Sequence, residues 1–92
     1  MYVVLVYDIK SDEDGQRVLS KIFKICKKYL THIQNSVFEG ELSNSQIIKL
    51  QYEVNGIIRK DRDSIILFKS RNERWLEKDM WGVKEDKTSN FI

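Results

Sequence analysis

The chain has 92 residues, with 16 Lys and Arg against 14 Asp and Glu for a formal charge of +2, and is 41% hydrophobic and 33% charged. That apolar share with so small a net charge excludes a disordered tail, and no apolar run approaches the roughly 18 residues of a membrane span. A single small domain over 1–92 is expected, and with one Cys ruling out an internal disulfide, dimerisation is the natural source of extra stability.

The opening MYVVLVYD is β-branched and aromatic over residues 2–7 and reads as strand one, buried on both faces. It carries neither a basic n-region nor a small-residue cleavage site, so a cytoplasmic protein is expected rather than an exported one. Residues 11–14 are polar and acidic. An apolar series follows at Val18, Ile22, Cys26 and Tyr29, widened by Leu19, Phe23, Ile25 and Leu30, which predicts helix one over 12–29. Residues 31–42 read as strand two, with Gly40 near its end where a bulge would be tolerated. Ser43 and Gln46 have capping-box spacing, and Ile47, Leu50, Val54, Ile57 and Ile58 then recur with a helical period, placing the end of helix two near 58. The polar stretch 59–63 turns the chain into SIILFK, strand three over 64–69. The tail mixes charge with Trp75, Leu76, Met80, Trp81, Phe91 and Ile92 and has room for one or two short strands.

These elements match a ferredoxin-like α+β fold of βαββαβ order if the tail supplies the missing strand. Helices cover one face of such a sheet. Strands one and three carry apolar residues of both parities, so the other face also needs cover, and the same face of a second subunit supplies it through an isologous twofold interface.

Asp8 is the one carboxylate at the end of an apolar strand. It reads either as a turn residue bonding backbone amides ahead of helix one or, duplicated across a twofold axis, as part of a Mg2+ site, since magnesium is held by one or two carboxylates plus water. Asp12, Glu13 and Asp14 need no metal, because acidic residues suit the first turn of a helix. His32 is the only histidine, which excludes a multi-His/Cys zinc site, and a Cys–His nucleophile would require Cys26 and His32 to meet. Cys26 lies on the apolar stripe and reads as core, and Ser36 lacks a Gly-x-Ser-x-Gly context. Arg17, Lys21, Lys24 and Lys28 fall in one sector of helix one, a row that is either a solvated face or a contact for phosphates. Arg59, Lys60 and Arg62 in a loop, with Lys69, Arg71 and Arg74 beyond, favour a phosphate-rich partner further. No Gly-rich phosphate loop is present, and SIILFK lacks the paired aromatics of an RNA-recognition strand.

MYVVLVYDI at 1–9, Arg17-Val18 nine residues after Asp8, and IQNSVFEGEL at 33–42 together resemble the CRISPR-associated Cas-two family of the spacer-adaptation module, over nearly the whole chain and only loosely from 77 onward. The resemblance implies a ferredoxin-like sheet-to-sheet homodimer in which residues 75–92 add a strand to the partner subunit. It implies a metal-dependent endonuclease acting on single-stranded RNA or double-stranded DNA, and the central dimer that inserts protospacer DNA into the array with the Cas-one integrase. Carried over by position, Asp8 is the catalytic metal ligand, with Mg2+ as the ion and Mn2+ its alternative. Tyr7, Arg17, Ser36 and Phe38 lie near it or support the cleft. His32 replaces an Arg common in the family, which makes phosphate binding there weaker and pH-sensitive. Lys21, Lys24 and Lys28 join Arg17 and His32 as the nucleic-acid contacts. Two other functions fit the same fold: a noncatalytic DNA scaffold for the integrase, and a toxin-like messenger-RNA ribonuclease.

Overall fold

The chain forms a βαββαβ arrangement in a computed structural model that describes residues 1–71 together with 79 and 81. Its elements are β1 (Tyr2–Asp8), α1 (Gly15–Tyr29), β2 (Thr31–Gln34), β3 (Val37–Glu41), α2 (Asn44–Asn55) and β4 (Ser64–Ser70). The strands pair antiparallel in the order β2-β3-β1-β4, which places β1 centrally between β3 and β4.

Strand alternation divides β1 into two sets. Val3, Leu5 and Tyr7 enter the core with Phe38, and Val18, Ile22 and Cys26 of α1 and Leu50 and Val54 of α2 meet them there. The buried α1 residues Gly15, Val18, Ile22 and Cys26 recur every three or four positions, so one stripe of the helix lies on the sheet. Val4, Val6 and Asp8 belong to the opposite set. On that open face Val4, Val6 and Val37 are half-buried, while Ile66 and Phe68 keep 53% and 54% of their surface exposed.

The sequence reading needs four corrections. Residues 31–42 are not one strand but the hairpin β2–β3, so the fourth strand of the fold comes from here and β4 at 64–70 completes it. The reversal sits at Asn35, whose φ of 45° is left-handed, a conformation Asn tolerates better than other side-chain-bearing residues. The irregularity in the ladder lies in β2 between His32 and Gln34, while Gly40 pairs regularly with Val3. Helix α1 starts at Gly15 rather than 12, because the Asp12 carboxylate accepts a bond from the Asp14 N–H (3.2 Å) and its carbonyl one from the Gly15 N–H (3.1 Å), closing a turn ahead of the helix. No acidic residue therefore occupies the first helical turn.

Helix α2 opens on the capping box expected of Ser43 and Gln46: the Gln46 N–H donates to Ser43 Oγ (3.2 Å) and the Ser43 N–H to Gln46 Oε1 (2.8 Å). It ends at Asn55, short of 58, since the N–H groups of Ile57 and Ile58 both bond Val54 O and close the last turn. The strand expected within 75–92 lies outside the described residues.

Candidate active site

Asp8 is the last residue of β1, opposite Ser64 of β4, with its side chain exposed. By alternation it shares the open face with Val4 and Val6. Both ends of its surroundings are anchored. On one side the Tyr7 N–H donates to Ser36 O (3.1 Å), tying the end of β1 to the β2–β3 turn. On the other, the Lys10 N–H donates to Asp63 Oδ1 (2.9 Å), which fixes the chain two residues beyond the carboxylate.

Asp63 is buried and holds Arg59 in a two-point grip: Arg59 Nε reaches Oδ2 (2.9 Å) and Nη2 reaches Oδ1 (3.0 Å), with the Arg59 backbone N–H also on Oδ2 (2.9 Å). Arg59 in turn pairs with Asp12 through Nη1 and donates to Lys10 O through Nη2 (3.0 Å). Arg62 adds bonds to Asp12 (3.2 Å) and Asp61 (2.8 Å). These guanidiniums hold the carboxyls of Asp12, Asp61 and Asp63 below the usual carboxylate range. Arg59 and Arg62 are thereby committed to carboxylates. The two arginines of the loop cluster form a clamp between the β1–α1 and α2–β4 connections, while Lys60 is exposed outside it.

The helical row is also partly engaged. Arg17 pairs with Asp14 (3.7 Å), and Lys28 with Glu53 of α2 (2.6 Å), an ion pair that raises the lysine and lowers the glutamate. Tyr29 donates to the same Glu53. Lys21 and Lys24 are exposed and carry no ion pair among the described residues.

The remaining predicted residues divide between chemistry and support. His32 is half-buried, packed against Phe23 and Phe38 at ring separations of 5.0 and 4.8 Å, with Nε2 2.7 Å from Asn35 O. Phe38 is fully buried and Tyr7 nearly so, their rings 6.0 Å apart, so both support the site from the core side. Burial pushes the Tyr7 hydroxyl up to about 12, which keeps it neutral and unfit as a base. Cys26 is fully buried and burial pushes its thiol up to about 12, so no Cys–His nucleophile forms.

Among the described residues no three His, Cys, Asp or Glu side chains gather to hold a metal. Of the carboxylates predicted to bind a cation, the described residues leave Asp8 without two further ligands beside it. A hard cation such as Mg2+ or Mn2+, which retains most of its water, is served by one or two carboxylates, and an exposed carboxylate such as that of Asp8 is a donor of that kind.

A ferredoxin-like sheet with one exposed carboxylate closing its central strand, beside an open apolar face, defines the class. The profile of the family "CRISPR associated protein Cas2" matches residues 1–78, and the chain belongs to that family. It is 66% identical over 92 residues to the CRISPR-associated endoribonuclease Cas2 of Fusobacterium nucleatum subsp. nucleatum, covering 100% of this chain and 87% of that one. It is 38% identical over 91 residues to the CRISPR-associated endoribonuclease Cas2 2 of Moorella thermoacetica, covering 98% and 100%. Among solved structures, a Cas2 crystal structure superposes with TM-score 0.80 at 30% identity over 100% and 98% of the two chains. Streptococcus pyogenes Cas2 at pH 6.5 does so with TM-score 0.74 at 28% identity over 87% and 100%.

Sequence reasoning missed the Asp63–Arg59–Asp12 clamp and the turn at Asn35. The Asn-Ser pair at 35–36 was the available signal for the turn. Nothing local announces a bond between residues 12 and 59.

Proposed function

We propose that the chain is a metal-dependent endonuclease of CRISPR adaptation, cleaving phosphodiesters as a sheet-to-sheet homodimer in the cytoplasm. The observation that carries this is the position of Asp8: exposed, rigidly flanked, and at the end of an open apolar face that a second copy would cover. The relatives named endoribonuclease support RNA as substrate. No described helix is long and apolar enough to cross a membrane, which agrees with that location.

Asp8 and Asp8 of the partner subunit would hold the ion. When bound, a divalent cation supplies activation of water and screening of phosphate charge. This chain's own residues do the rest: the Tyr7–Ser36 and Lys10–Asp63 bonds keep the carboxylate in place, and Lys21 and Lys24 attract the phosphate backbone. The exposed lysines also support a second reading, a central dimer that grips protospacer DNA and docks the Cas-one integrase. That reading uses the same dimer but does not require Asp8.

The decisive experiment assays purified wild type and Asp8→Ala on single-stranded RNA and double-stranded DNA, with Mg2+, Mn2+ or chelator, beside spacer acquisition in cells. Wild-type cleavage should need the cation and fall by about 100-fold or more in the variant, with the dimer intact. Undiminished cleavage by the variant removes Asp8 from the chemistry. Loss of cleavage with normal acquisition assigns the physiological role to the scaffold.

A further inference from the structure

A groove of about 520 Å³ opens beside Asp8, between one flank of α1 and the β2–β3 turn. Its size lies within the range of roughly 300–1,000 Å³ typical of small-molecule sites. Tyr7 and Leu19 give it an apolar floor together with Phe23, a half-buried ring fixed by edge-on contacts with His32 (5.0 Å) and Phe38 (5.5 Å). Amide and hydroxyl groups border both sides: Gln16 and Ser20, one helical turn apart on α1, and Asn35 and Ser36 on the turn. Lys24, four residues beyond Ser20, contributes a cation to the lining.

An aromatic surface, neutral donors and acceptors on two sides, and a cation complement the stacking face, polar base edge and phosphate of a nucleotide, while the carboxylate at one end meets a phosphate only through a metal ion held between them. The turn is also held in shape. His32 bonds Asn35 O at 2.7 Å and packs on Phe23, so one wall of the groove is fixed to its floor.

We infer that this groove receives the base of one unpaired nucleotide whose phosphate lies at Asp8, with Gln16, Ser20, Asn35 and Ser36 reading the base edge. The inference rests on Asp8 being the phosphodiester site and assigns the specificity of that same site. A paired base presents its edge to its complement and cannot give it to these residues, so the groove selects an unstacked, single-stranded nucleotide.

The test titrates isotope-labelled full-length protein in Mg2+ with uridine and adenosine 5′-monophosphates, which hold no internucleotide bond to cleave, and with ribose 5-phosphate, following backbone amide signals. Both nucleotides should shift Phe23, Asn35 and Ser36, and ribose 5-phosphate should bind about tenfold more weakly for want of a stacking base. Ser20 is exposed on the helix, so Ser20→Trp fills the groove at a position that does not set the fold. It should weaken nucleotide binding by about tenfold. Asn35→Gly keeps the left-handed turn and removes only the amide, and it should weaken binding about threefold. Equal affinity for ribose 5-phosphate, or unchanged binding by Ser20→Trp, overturns the base subsite. Nucleotide binding in the groove of a wild type that cleaves nothing sinks the nuclease reading alone, whereas cleavage with no shifts in the groove sinks the subsite alone.

Discussion

Asp63 shows how a single side chain sets the geometry of a neighbour it does not touch. Its carboxylate receives four bonds from Lys10 and Arg59, and none of its oxygens is left unsatisfied in the interior. The Arg59 guanidinium is the largest influence holding this carboxyl far below its ordinary value of 3.8, outweighing the opposing effect of burial. A carboxyl depressed in the folded state contributes stability that is present above its unfolded value and lost as pH falls toward the folded one. Asp63→Asn keeps the shape and removes the charge, and should cost roughly 2–3 kcal/mol at neutral pH. The gap to wild type should be full above about pH 5 and narrow below the ordinary 3.8. Denaturant unfolding of both proteins across that interval measures it, and a penalty that does not change with pH would remove the ionised pair as its source. None of this was visible in the sequence. Asp63 reads there as one of several charged residues in a turn, because the bonds that distinguish it reach 53 residues back to Lys10.

Elements were legible to the extent that their signals are local. The Ser43–Gln46 box and the stripe Val18, Ile22, Cys26 each lie within a few turns of one helix, and both stand as read. The β2–β3 hairpin was signalled only by the Asn35-Ser36 pair, since its reversal uses Asn35 rather than Gly or Pro and β-branched or aromatic residues stand on both sides of it. The start of α1 was missed for a tertiary reason: Asp12 is drawn to Arg59 and Arg62 and leaves the helix to begin at Gly15. Gly15 then becomes a requirement of the fold. A Cβ added there would lie 2.3 Å from the Lys10 carbonyl oxygen, a backbone atom that cannot swing aside. Although Ala is the better helix former, Gly15→Ala should destabilise by about 1–3 kcal/mol. It should also displace the β1–α1 connection that carries the Lys10–Asp63 bond, so cleavage should fall further than stability alone explains. Thermal unfolding beside turnover measured well below the midpoint separates the two effects. A neutral or stabilising substitution would mean that the loop yields freely.

At the scale of the whole molecule, the open sheet face is the feature the sequence read most directly and the one on which the proposed function depends. Strands with apolar residues of both parities leave Val4, Val6, Val37, Ile66 and Phe68 on a surface that neither described helix covers. Ile66 lies opposite Val6 in the ladder and Phe68 opposite Val4, so the patch is continuous across β1 and β4 and ends at Asp8 and Ser64. Water on such a face is costly, and a second copy placed on it by a twofold axis would bury these side chains and carry its Asp8 toward the first. Ile66→Lys with Phe68→Asp replaces the two most exposed members of the patch by residues that tolerate water. Both sit on solvent-facing positions of β4, so the secondary structure should persist while dimer dissociation rises about 100-fold or more. Sedimentation equilibrium over a range of concentrations reads the dissociation and circular dichroism the secondary structure. Cation-dependent cleavage should disappear with the dimer, because a solitary Asp8 is too poor a seat for the ion. A variant that is monomeric yet cleaves at the wild-type rate would place the whole reaction within one chain and remove the shared ion from the mechanism.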